Sequence, residues 1–232
     1  MLEPAGTTGG GKRIMRRDLC ILTSQVDHDL LRGLFGTAAP GLVLHIAGGP
    51  EELAPVLARL QRPVRLVSIL SARILPADFL SDLREPAYNI HPGPPEYPGT
   101  CPEVFALYEG AQTYGVTAHV MAPQVDAGPI VAVDRFPIPP GCARVALGRL
   151  AWQASLGLLA RLAPRLANEA GPLPPVAESW SGVRRSGRAF ATLAEMTSDI
   201  DAQELERRIR SLDDGSGLLT LRHHGRIFRL VP

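Results

Sequence analysis

The sequence predicts an α/β fold, a Rossmann-like and mostly parallel sheet with a small C-terminal helix-plus-hairpin appendage. Three observations carry this. Apolar runs of strand length alternate with stretches of helical period, a tract of prolines and glycines stops the fourth such run, and a second proline-rich segment precedes a short C-terminal stretch with its own patterning.

The first strands are expected at Leu19 to Leu22, Leu42 to Ile46 and Val64 to Leu70. Between them, Asp29 to Leu34 and Glu51 to Leu60 space leucines at helical intervals, and Gly49 with Pro50 marks the start of the second helix. A fourth strand ends in Ala87, Tyr88, Asn89, Ile90, His91, because the next residues, Pro92 to Gly99, hold four prolines and two glycines. A short helix over Cys101 to Glu109 precedes strands at Tyr114 to Met121 and Ile130 to Phe136, which flank a turn at Asp126, Ala127 and Gly128. A long helix follows from Ala143 to Leu166. Gly171 to Pro175 reads as a linker, Asp199 to Arg210 as a capped helix, and Gly217 to Leu221 with Arg226 to Leu230 as strands flanking a His-His-Gly turn. The expected organisation is a disordered leader over 1–17, a catalytic domain over 18–170, and a linker with appendage over 171–232.

Composition narrows the function. The 232 residues are 45% hydrophobic and 20% charged, as in an ordinary globular protein, and no apolar run has the length of a membrane span. A net charge of +1 argues against nucleic acid as a partner. Lys12 is the only lysine, a bias that carries no functional weight. Cys20, Cys101 and Cys142 are too scattered for a zinc site and too few for a disulfide framework, so a reducing cytoplasm is the expected location and no metal is expected.

The chemistry concentrates where the fourth strand exits, since open parallel sheets bind ligands beyond the carboxyl ends of their strands. Alternation sets Asn89 and His91 on one face. An asparagine amide can donate to an oxygen gaining negative charge, a histidine exchanges protons near neutrality, and a carboxylate such as Asp126 can orient that histidine. Such a set suits acyl transfer without a covalent enzyme intermediate. Taken alone, His91 reads as a structural histidine and Asp126 as an Asx-turn before Gly128, so it is their company with Asn89 that carries the catalytic reading.

These elements, Asn-Ile-His from Asn89, Tyr-Gly-Val-Thr-Ala-His from Tyr114 and Val-Asp-Ala-Gly-Pro-Ile from Val125, resemble the folate-dependent formyltransferase family. The family includes glycinamide ribonucleotide transformylase, methionyl-tRNA formyltransferase and small sugar amine N-formyltransferases, the last being nearest in type. The resemblance runs from Leu19 to Leu166 and is sharpest between Tyr88 and Ile130. It implies 10-formyltetrahydrofolate as formyl donor and Asn89, His91 and Asp126 as catalytic residues. It further implies that the segment with Arg73, Ile74 and Leu75 holds the donor's pterin ring against the loop of Val125, Ala127 and Gly128. Where many relatives carry Ser-Leu-Leu-Pro after the histidine, this chain has Pro92 to Pro98, which reshapes the acceptor side. Thr23-Ser24-Gln25-Val26 lacks the glycine-rich phosphate cradle of a ribonucleotide enzyme.

The expected acceptor is therefore a small-molecule primary amine, with a nucleotide-linked amino sugar as the leading class. Tyr97 is a candidate to stack on an acceptor ring or to anchor its loop, and Thr117 and His119 are candidates for substrate contact or for holding the sheet and loop. His223 and His224 read as a solvated turn. The tail is assigned to acceptor contact or to a homodimer, not to folate binding. Three alternatives stay open: a hydrolase that releases formate from the same donor, a folate-binding module without turnover, and a maturation-type enzyme that processes the formyl group into another one-carbon product.

Overall fold

The computed structural model describes residues 18–60, 64–169, 171–212 and 215–230; the expected leader lies outside them. Six strands form the main sheet: β1 (Asp18–Leu22), β2 (Val43–Ala47), β3 (Val64–Ile69), β4 (Tyr88–His91), β5 (Thr113–Val120) and β6 (Ile130–Pro137). Their spatial order is β2-β1-β3-β4-β5-β6. The pairs β1–β2, β1–β3 and β3–β4 are parallel, and β5 runs against both β4 and β6. The hairpin expected from the sequence thus extends the parallel sheet on one side.

Strand alternation sorts the core into two layers. Leu19, Ile21, Val67, Ile69, Tyr88 and Ile90 meet Leu31 and Phe35 of α1 (His28–Ala38) and Leu158, Leu159 and Leu162 of α5 (Arg144–Asn168). Cys20, Leu22, Val64 and Leu66 face the other way, onto Leu53 of α2 (Pro50–Arg59). The same alternation turns Asn89 and His91 away from the first layer. Helix α1 starts where Asp27 accepts hydrogen bonds from the N–H groups of Asp29 and Leu30, while α2 starts at Gly49 with Pro50 in its first turn. A short α3 (Ala77–Ser81), absent from the sequence reading, links β3 to β4.

Helix α4 (Pro102–Tyr108) joins the main body to the tail. Its Val104 and Phe105 form a third cluster with Leu193 and Ala194 of α6 (Gly187–Ala194), Met196 of β7 (Glu195–Thr197), Leu212 of α7 (Ala202–Leu212) and Leu219. β7, β8 (Thr220–His223) and β9 (Arg226–Arg229) make a three-stranded sheet. The expected helix and hairpin are present, whereas α6 and β7 were not foreseen; each is too short to show a period. Asp201 caps α7 through the N–H of Glu204, two residues beyond the start expected at Asp199.

The segment read as a linker, and the residue after it, are hydrogen-bonded to the main body. Leu173 N–H donates to the Tyr88 hydroxyl at 2.8 Å and Val176 N–H to the Ile130 carbonyl at 2.9 Å. The buried guanidinium of Arg65 donates to the carbonyls of Leu166 and Gly171 and pairs with Glu85, holding the end of α5 and the start of this segment together. Proline content here supplies extended backbone without implying freedom.

Candidate active site

β4 carries Asn89 and His91 to a cavity of ≈ 760 Å³ at the carboxyl end of the parallel strands. Antiparallel pairing sets Asn89 opposite His119 and His91 opposite Thr117. Asp126 enters from the β5–β6 connection in a left-handed conformation, φ 48°, that an aspartate tolerates better than most side chains. Next to it, Gly128 has no alternative, since a Cβ there would run into the Val120 carbonyl oxygen.

Asp126 is the hub. Its Oδ2 accepts the Gly99 N–H at 2.8 Å and lies 3.4 Å from His91 Nδ1, while Oδ1 lies 3.3 Å from His119 Nε2. Burial pulls the Asp126 pKa upward, but its contacts with the His119 and His91 rings and the Gly99 N–H outweigh it and hold the carboxyl below its ordinary value. His91 is 4% exposed, and burial is the main cause that lowers its pKa below 6.5; Asp126, the Tyr97 carbonyl and Glu103 oppose this without reversing it. The neutral imidazole therefore dominates at pH 7. Its Nε2–H donates to the Tyr97 carbonyl at 3.0 Å, and a second proton on Nδ1 would face Asp126.

His119 sets the neighbouring amide. Its Nδ1 lies 2.9 Å from the Val120 carbonyl, which can only accept, so Nδ1 carries the hydrogen and in the neutral ring Nε2 is bare. That bare nitrogen lies 3.2 Å from Asn89 Nδ2 and takes one amide hydrogen. The second is left for a ligand oxygen in the cavity.

Of the other residues singled out in the sequence, Arg73, Ile74, Leu75 and Val125 line the cavity; Ala127 and Gly128 do not, and Gly128 serves instead through its carbonyl. Thr117 is fully buried and donates to the Gly93 carbonyl at 2.8 Å, fixing the proline-rich loop. Tyr97 also stays off the cavity wall; its ring packs against the main core and the tail cluster, which makes it the loop anchor. Sequence reasoning missed Trp180, whose ring stands 5.8 Å from His91 and 5.0 Å from His119 in edge contacts. An indole N–H needs a partner, and a tryptophan inside a polar coil was the available signal. It missed too the α5 side of the cavity, where Val145, Gly148, Arg149 and Trp152 contribute. Among the described residues no cluster suits a metal ion, and no helix is long and apolar enough to cross a membrane.

Comparison with known proteins finds formyltransferases by both sequence and fold. Residues 49–151 match the family model described as formyl transferase, a span that contains Asn89, His91 and Asp126. A methionyl-tRNA formyltransferase from Moorella thermoacetica is 29% identical over 175 residues, 73% of this chain, and the chain spans only 54% of that relative's length. A sugar N-formyltransferase structure from Shewanella sp. superimposes with a TM-score of 0.73 at 18% identity, covering 94% of this chain and 97% of the other. HypX from Aquifex aeolicus, solved in complex with tetrahydrofolic acid, gives a TM-score of 0.59 at 18% identity over 93% of this chain and 37% of its own. The chain is thus similar in sequence to formyltransferases over residues 49–151, the span that holds the motif residues, and similar in fold to a sugar N-formyltransferase along nearly its whole length.

Proposed function

We propose that this chain transfers the formyl group of 10-formyltetrahydrofolate to a primary amine of a small-molecule acceptor, a nucleotide-linked amino sugar being the leading class. The observation that carries it is the convergence of Asn89, His91, His119 and Asp126 on the wall of one large cavity. Support for the acceptor class is that the fold superimposes on a sugar N-formyltransferase over 94% of this chain and 97% of the other. Residues 18–170 are the catalytic domain in this reading and 171–232 the tail.

The cavity suits a folate. Leu70, Leu75, Met121 and Val125 offer apolar wall to a flat ring, and Arg73 stands exposed on the lining where a carboxylate can meet it. The bound donor supplies an activated formyl group, and the chain's own residues do the rest. Asn89 donates its free amide hydrogen to the formyl oxygen as negative charge gathers there. Neutral His91 accepts a proton from the attacking amine and is stabilised, once charged, by Asp126; it can then return that proton to the departing nitrogen. Burial keeps His91 ready as a base, and Asp126 limits how far that goes.

The test is a panel of amines, nucleotide-linked amino sugars included, offered with 10-formyltetrahydrofolate while release of the deformylated folate is followed by absorbance. Release is expected to depend on an acceptor, and Asn89→Ala to slow it about 100- to 1,000-fold while calorimetric folate affinity stays unchanged. Equal formate release without any amine would make the protein a hydrolase, and no folate binding at millimolar concentration would remove the reading.

A further inference from the structure

We propose that Trp180 is a positioning residue for the reaction centre: its indole walls the His91 and His119 rings from outside the cavity and ties the Asp126 loop to the strap formed by residues 172–186.

The contacts are specific. Trp180 stands at 73° to the His91 ring and 89° to the His119 ring, yet is not part of the cavity lining that both histidines share. Its Nε1–H donates to the Gly128 carbonyl at 2.9 Å, two residues beyond Asp126. The strap around it is bonded to the opposite loop as well. Ser181 N–H donates to the Pro95 carbonyl at 3.0 Å, Arg185 N–H to the Pro98 carbonyl at 2.8 Å, and Thr100 N–H to the Arg185 carbonyl at 2.9 Å. Arg135 of β6 adds ion pairs to Glu178 of the strap at 2.6 Å and to Glu96 of the loop at 2.8 Å. The Asp126 loop and the proline-rich loop, which supplies both the Tyr97 carbonyl and the Gly99 N–H, are therefore held to each other through the strap, with Trp180 at the crossing.

Two edge contacts fix the planes of both imidazoles, and the indole occupies space through which water would otherwise reach them. Water at His91 would weaken the burial that keeps it neutral. The charged and titratable groups around His91 are Asp126, His119 and Glu103, with Arg144 paired to Glu103 and Arg149 on the same cavity wall. None of them belongs to the strap, so opening the Trp180 side changes solvation before it changes charge.

The inference rests on the proposed function only for its effect on turnover; its main readout needs none. Imidazole signals are titrated by NMR between pH 4 and 8 in the wild-type protein, Trp180→Ala and Trp180→Phe, with His91 assigned from a His91→Gln sample. Trp180→Ala should raise the His91 midpoint by about one pH unit and move the acid limb of turnover with it, whereas Trp180→Phe, which keeps an aromatic wall, should hold it near wild type. A Trp180→Ala protein that melts cooperatively with an unmoved His91 midpoint overturns the proposal, even if formyl transfer is confirmed. Against a failure of that variant to fold, the fluorescence of Trp152→Phe, in which Trp180 is the remaining tryptophan, should fall with the protonation midpoint of His91; flat emission while His91 titrates also overturns it. Absence of formyl transfer with the expected midpoint shift would remove the function and leave the positioning role standing.

Discussion

Replacing Asp126 by asparagine takes one negative charge from a side chain that accepts the Gly99 N–H at 2.8 Å and lies 3.3 Å from His119 Nε2 and 3.4 Å from His91 Nδ1. The amide keeps the shape and can still accept from Gly99. A charge-assisted bond becomes a neutral one, for which the loss is about 1–2 kcal/mol of stability. Turnover should suffer more, because a charged His91 then lacks its counter-ion; a fall of about 100- to 10,000-fold is expected. The sign of the pH effect follows from the same contact. Asp126 raises the His91 pKa against the burial that lowers it, so its removal sends that pKa lower still and the acid limb of turnover to lower pH. Initial rates across pH, with folate affinity by calorimetry and melting by circular dichroism, measure all three quantities. Near wild-type turnover in a folded Asp126→Asn protein, or an acid limb moved to higher pH, would refute the role given to this carboxylate.

Acid should destabilise the fold in two stages. His91 is depressed by burial, so its contribution is complete above its unfolded pKa of about 6.5 and is lost as pH falls toward the folded value; Asp126, also depressed, contributes above about 3.9 and loses that as pH falls further. Urea midpoints should decline between pH 7 and 5 in the wild type and less so in His91→Gln, and a flat wild-type profile would contradict the assignment. Gly128→Ala should cost about 3 kcal/mol or more, since its methyl collides with the Val120 carbonyl; a melting temperature within a few degrees of wild type would show that the loop relaxes freely.

The parallel half of the fold was legible because its strands are continuous apolar runs and its helices repeat at 3.6 residues, and β4 was marked by the prolines that stop it. Asn89 and His91 were singled out by their place where β4 exits, and alternation set them on one face. Arg73, Ile74 and Leu75 depended on family resemblance and do line the cavity. For Tyr97 the sequence left stacking and loop anchoring open, because the deciding fact, that two hydrophobic clusters close around it, is tertiary. Trp180 escaped for the converse reason. It lies 54 residues from Asp126 in sequence and in a coil without period, and nothing local announces the histidines it meets. Gly171 to Pro175, where the strap begins, read as a linker because proline sets backbone shape but leaves the hydrogen-bond partners to the rest of the chain.

The reversal of direction between β4 and β5 has a bearing on how such a protein can diversify. Asn89 and His119 are neighbours across strands, in a pairing fixed by the sheet and not by the length of chain joining them. Additional residues in the turn between α4 and β5 would leave that pairing untouched, whereas deletion of one residue within β5 would turn His119 and Thr117 onto the opposite face. Helix α4 and the chain before it, which form the other wall of the cavity, lie wholly inside this connection. That wall of the cavity can accordingly lengthen, shorten or change composition while Asn89, His91 and His119 keep their places in the sheet, so the shape of the cavity can vary independently of the groups on β4 and β5.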